Sequence, residues 1–211
     1  MSVSEFLQLV FYGATVGVLL AAPIGPINIE IVRRGLRDGF LNGWLTGLGA
    51  LSADTIYAMI IVLGLAQFAE NESIRVVLFI AGAMMMFYIG YHSIRTSLHE
   101  TTVDTSTAPR GRSYITGFLM AALNPFGIVY WFTVGAGLTA DAVTRFGDSA
   151  APWLVIGVAL GILSWVTVIS AIAQVSRRFV TGKAMQWITG ISGVLLLGYA
   201  IWFIVSAWRL L

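Results

Sequence analysis

Six stretches of the chain are almost free of Lys, Arg, Asp and Glu: Phe6 to Ile29, Gly39 to Ala69, Val76 to Ile94, Ser113 to Ala140, Ser149 to Ser176 and Ala184 to Trp208. Each is long enough, at about 1.5 Å of rise per residue, for a helix to cross about 30 Å of hydrocarbon. The pattern predicts six transmembrane helices. Only Asp54 interrupts the second stretch. The segments between are short, and the longest, near Ser97 to Arg112, is rich in Ser and Thr and reads as a flexible loop. The first span is not expected to be a cleaved leader: Met1 to Glu5 carries an acid and no Lys or Arg, and no small-residue cleavage site follows.

Composition supports a bilayer as solvent. Hydrophobic residues make up 58% and charged residues 10% of 211 positions, where a soluble domain carries about 25% charged residues. The mean hydropathy is +0.87. Absence of cysteine excludes disulfides, thiolate metal sites and dithiol electron transfer. No phosphate loop, zinc spacing or nucleophile elbow occurs. No cofactor, metal site or nucleic-acid partner is expected, and no enzyme activity, because no second catalytic group accompanies Asp54.

The basic residues are lopsided. Arg33, Arg34 and Arg37 fall in the first loop, Arg95, Arg110 and Arg112 in the third, and Arg177, Arg178 and Lys183 in the fifth, nine in all. The other side holds three: Arg75, Arg145 and Arg209. The positive-inside rule then places loops one, three and five in the cytoplasm and both termini outside.

The spans also repeat. Ile80, Gly82 and Tyr88 of the third match Ile191, Gly193 and Tyr199 of the sixth. Gly49-Ala-Leu-Ser52 matches Gly161-Ile-Leu-Ser164, and Ala21-Ala22-Pro23 matches Ala121-Ala122-Leu-Asn124-Pro125. Three matches in order predict one transmembrane domain over residues 1–211, with repeat one at about 6–97, a loop at 98–112 and repeat two at about 113–208. An odd number of spans per repeat requires opposite insertion, so the fold class is an all-α membrane protein of two inverted three-helix repeats. Secondary transporters often use this plan, with substrate sites at interrupted helices.

The candidate chemistry is sparse. Asp54 lies near the centre of its span, where an acid costs roughly 2.5–3.5 kcal/mol to insert. It reads as a proton carrier or a ligand for a cationic group, against the plainer reading of a neutral acid bonded to a neighbouring helix. Pro23, Gly25 and Pro26 break the first span; prolines free backbone carbonyls one turn earlier, which with the Asn28 amide can meet a substrate. Asn124 and Pro125 hold the matching place in the fourth span. Either break also reads as a packing kink. Tyr57, one turn beyond Asp54, is placed to share its hydrogen bond. Glu30 precedes Arg34 at i,i+4 spacing, a surface ion pair or an inner gate. Tyr88 and Tyr199 read as interfacial anchors, as do Trp44, Trp153 and Trp208. The Gly13/Gly17, Gly43/Gly47 and Gly157/Gly161 pairs read as close-packing faces.

Taken together, Gly25-Pro26, Arg33-Arg34-Gly35-Leu36, Gly47 to Asp54, and Asn124-Pro125 make the chain resemble the lysine exporter (LysE/RhtB) family of bacterial amino-acid exporters over nearly its whole length. The resemblance implies a multi-pass protein of the bacterial cytoplasmic (inner) membrane. It implies export of amino acids or related small zwitterionic metabolites, driven by the proton gradient, with Gly25-Pro26, Asp54 and Asn124-Pro125 as functional positions. The expected partners are a small-molecule substrate, protons and the lipid bilayer; a homo-oligomer stays open. An inorganic cation exporter and a non-transport membrane scaffold stand as alternatives.

Overall fold

A computed structural model describes residues 3–22, 25–62, 72–99, 110–124, 127–128, 131, 135–147 and 150–209. Every regular element among them is helical. In chain order they are α1 (Val3–Ala21), α2 (Pro26–Asp38), α3 (Phe40–Val62), α4 (Glu72–His99), α5 (Arg110–Ala122), α6 (Ala136–Phe146), α7 (Ala150–Ser176), a 3-10 turn (Arg177–Phe179) and α8 (Gly182–Trp208). Among the described residues, α1, α3, α7 with its 3-10 turn, and α8 are long and apolar enough to cross a bilayer.

Two of the expected spans are broken at the places where the prolines stand in the sequence. The first stops at Ala21 and restarts at Pro26, with Gly25 extended ahead of it (φ −133°). Pro26 occupies the first helical position, where its missing N–H would have no partner and its fixed φ suits the start. The fourth stops at Ala122 and turns through Leu123 and Asn124. Beyond it, Trp131 and Gly135 have π-type helical backbone before α6 begins. Pro23, Pro125 and residues 63–69 of the second expected span lie outside the described residues. Helix also takes both ends of the expected 98–112 loop, since α4 runs to His99 and α5 starts at Arg110.

Arg33, Arg34 and Arg37, expected in a loop, belong to α2, and the first two are buried. A connection of one residue suffices after them: Gly39, at φ +92°, turns α2 straight into α3. That conformation suits glycine, which lacks the Cβ that disfavours positive φ.

Helix directions follow from which residues touch. Gly13 faces Leu154 and Gly157, Gly17 faces Val158 and Ile162, and Gly35 faces Ala173, so α1 and α2 run parallel to α7. Asn42 bonds Ser113, Thr46 faces Gly117, and Tyr57 bonds Ala122, so α3 and α5 also run parallel. Gly82 faces Phe203, Gly90 faces Gly193, and Ser97 faces Gly190, so α4 and α8 run antiparallel. The α3 and α7 helices are antiparallel as well, with Gly39 beside Gln174 and Gly47 beside Val166.

Glycine sets these approaches. A Cβ on Gly17 would strike the Val158 carbonyl, and one on Gly161 the Ala14 carbonyl; a Cβ on Gly117 would strike the Thr46 carbonyl, and one on Gly49 the Tyr114 carbonyl. Without driving hydrophobic contrast in lipid, such close backbone contact is a main source of helix association. The core divides into a cluster under α1, α3 and α7, another between α4 and α8, and a small one at Ala50, Ala53 and Ala121. Ile27, just after the first break, packs against all three.

Candidate functional site

Both breaks open onto one cavity of about 420 Å³. Leu20, Ala21, Gly25, Pro26 and Asn28 line it from the first break, Asn124 and Gly127 from the second, and Gly47, Ala50 and Asp54 from α3. Ile162, Trp165 and Val166 of α7 and Tyr199, Trp202 and Phe203 of α8 complete it with Trp131. Asp54 is the one ionisable acid among these lining residues, and none of them is Lys, Arg or His. Five of the expected residues thus meet at one place: Asp54, Asn28, Asn124, Gly25 and Pro26. Glu30 and Tyr57 are not among the lining residues.

Asp54 is partly buried. Its Oδ1 accepts a hydrogen bond of 2.9 Å from the indole Nε1 of Trp131. The Tyr57 hydroxyl, expected to share with Asp54, donates at 2.6 Å to the Ala122 carbonyl, where α5 ends. That carbonyl is one of the last four of a helix, which lack a partner within the helix. Tyr57 therefore braces the second break from α3.

Asn28 braces the first in the same manner. Its Nδ2 donates at 2.6 Å to the carbonyl of Ala21, the last residue of α1. Its Oδ1 faces the Trp165 indole nitrogen at 3.4 Å. The amide expected to meet substrate thus joins the two halves of the broken helix while still lining the cavity.

Glu30 forms the expected pair with Arg34, but inside the protein and not on its surface. The carboxylate is fully buried. Arg33 reaches it with Nε and Nη2 at 2.8 and 2.7 Å, and Arg34 with Nε at 2.6 Å. Arg34 then donates to Ser113 at 2.8 Å and Thr116 at 3.0 Å, and Ser113 donates to Asn42 at 2.8 Å. Centred on Glu30, next in sequence to the cavity-lining Ile31, this network ties α2 to α3 and α5.

Among the tyrosines, Tyr88 is exposed at 57%, as an interfacial anchor would be, whereas Tyr199 turns into the cavity. Trp153 and Trp208 are exposed, as expected, but Trp44 bonds Thr167 on α7. Trp131, Trp165 and Trp202 were not expected at the site. A signal for Trp131 exists in the sequence: it lies seven residues after Asn124, two helical turns on, well inside its span.

Comparison with known proteins identifies the family. The LysE type translocator family matches residues 18–207. A Bacillus subtilis protein named for amino acid efflux is 28% identical over 189 residues, covering 89% of this chain and 90% of the relative. The threonine efflux protein of Salmonella typhi is 24% identical, covering 95% and 99%. The chemotactic transduction protein ChpE of Pseudomonas aeruginosa is 28% identical, covering 83% and 87%. No solved structure gives a significant match. With the family matched over most of its length, the chain belongs to the LysE type translocators and is a membrane transport protein, not an enzyme.

Proposed function

We propose that the protein exports amino acids or related small zwitterions across the bacterial cytoplasmic membrane, coupled to protons through Asp54. The observation that carries this reading is the single carboxylate in a cavity where two broken helices meet. Broken helices near mid-membrane place polar backbone where a substrate needs it, and an intramembrane acid is a functional group by default. Relatives named for amino acid and threonine efflux support the substrate class. An inorganic cation fits less well. A hard divalent cation takes about six to eight oxygen ligands, whereas the described lining offers one carboxylate, two side-chain amides, one tyrosine hydroxyl and the backbone carbonyls at the breaks, among aromatic walls.

Transport in this reading uses six spans in two inverted repeats. The sequence repeat aligns Ala21 with Ala121 and Gly49 with Gly161. It therefore aligns Gly17 with Gly117, Ala14 with Tyr114, and Val158 with Thr46. Contacts agree with that register: Gly17 on Val158 and Gly161 on Ala14 in one helix pair, Gly117 on Thr46 and Gly49 on Tyr114 in the other. Matched positions also face the cavity from both repeats, as Ile27 with Gly127, Ile31 with Trp131, and Asp54 with Val166. A cavity on the axis between repeats is reached from either side by rocking one repeat against the other.

Efflux from proteoliposomes loaded with a labelled amino-acid mixture tests the proposal. Asp54→Asn is expected to abolish efflux driven by a pH gradient while the protein still folds. A fully active Asp54→Asn protein would overturn coupling through Asp54, whereas wild-type protein without efflux would overturn export itself and favour a non-transport role, such as a scaffold.

A further inference from the structure

The indole of Trp131 is buried, 8% exposed, and packed against α3 and Gly135. Asp54, Ala58 and Ile61 are spaced i, i+4, i+7 on α3, so they share one helix face. Trp131 belongs to the same packed cluster as Ala58 and Ile61. Ala58 leaves room on that face for a large ring. Gly135 also approaches the ring: a Cβ there would sit 2.8 Å from the indole Cε3 and 3.4 Å from Ile61 Cδ1. The ring is packed against Ile61 and Gly135, and its N–H ends 2.9 Å from Asp54 Oδ1.

An indole nitrogen only donates and holds its proton throughout the pH range of transport. It can therefore neither take the proton from Asp54 nor bind a substrate ammonium itself. It occupies one carboxylate oxygen and fixes the plane of the other. Among the described residues no hydrogen bond engages Oδ2, and the side chain lines the cavity.

We propose that Trp131 is the positioning residue of the transport site. It pins Oδ1 of Asp54, so that Oδ2 meets the proton or the substrate ammonium in the cavity. The inference rests on the transport reading above and deepens it. It also joins the two halves of the molecule: the acid comes from the first, and the group that aims it comes from the segment after the second break.

The test combines transport with spectroscopy on the full-length protein. In proteoliposomes with the labelled amino-acid mixture, Trp131→Phe is expected to raise the half-saturating concentration roughly tenfold or more, the scale of a hydrogen bond to a charged group. The maximal rate is expected to change much less. Gly135→Ala keeps both partners but pushes the indole aside, so it is expected to give the same shift. The double variant is expected to be no worse than either single one, because both remove one interaction. In protein labelled with 15N-tryptophan, the indole signal that vanishes in Trp131→Phe is expected to move in Asp54→Asn.

A Trp131→Phe protein with unchanged half-saturation, additive effects of the two substitutions, or a Trp131 signal indifferent to Asp54→Asn would each overturn the proposal. Should Trp131→Phe fail to fold, Gly135→Ala and the response of the wild-type indole signals to Asp54→Asn still decide it. An Asp54→Asn protein that transports as well as wild type would instead bring down the role of Asp54 in the proposed function, and absent wild-type efflux would bring down export itself.

Discussion

Glu30 shares its carboxylate with two arginines, all three withdrawn from water. Taking one partner out of such a cluster leaves uncompensated charge, which costs about 3–5 kcal/mol where buried pairs have been broken. Glu30→Ala is therefore expected to lower the melting temperature in detergent sharply, and Glu30→Gln to do so less, since the amide still accepts one arginine. A surface pair would contribute about 0–1 kcal/mol, so a Glu30→Ala melt close to wild type would contradict the buried network. The i,i+4 spacing of Glu30 and Arg34 was legible in the sequence; the burial was not. It depends on Ser113, Thr116 and Asn42, polar residues from distant positions with no local mark of their meeting. Asp54 was legible because a lone acid in an apolar span needs an explanation. Its partner was harder to see, because tryptophan in such a chain usually anchors at the membrane boundary.

Helices here are set by where small residues allow backbones to touch. Gly17 and Gly117 sit in two different helix pairs, and a side chain at either would strike a neighbouring carbonyl. Gly17→Leu and Gly117→Leu are each expected to cost about 1–3 kcal/mol or more, the range for overfilling a packed interface. Gly198→Leu is the control, because a Cβ there meets nothing within 4 Å. Thermal melts of the three variants check this: equal losses at Gly198 and Gly117 would rule out the close contact as their cause. Apolar length marked both ends of α4, α7 and α8 in the sequence to within a few residues, since a continuous charge-free run is a strong signal. The breaks were marked by proline, but their extent was not. Charge-free length cannot show that Ala21 ends one helix and Pro26 starts another, because broken and intact spans have the same composition. Charged α2 was misplaced for the opposite reason. Its arginines look like a loop until Glu30 and the hydroxyls of α5 are brought beside them.

At the scale of the whole molecule, orientation depends on a charge count and on helix direction. Nine basic residues fall on one expected side and three on the other. Two of the nine, Arg33 and Arg34, are buried against Glu30; setting them aside leaves seven against three, still the same bias. Helix directions constrain the number of crossings independently of charge. In an up-and-down chain of six spans, the first and fifth must be parallel, the second and fourth parallel, and the third and sixth antiparallel. The observed pairs α1 with α7, α3 with α5, and α4 with α8 have those directions. Both termini are therefore expected on the same side, and from the basic bias that side is expected to be outside the cell. Alkaline phosphatase fused to either end is expected to be active, and green fluorescent protein fused to the C-terminus dark. The two parts of this expectation fail separately. Termini on opposite sides would mean an odd number of crossings and would remove the inverted repeat. Both termini in the cytoplasm would keep the repeat but reverse the molecule, showing that the exposed arginines do not govern its insertion.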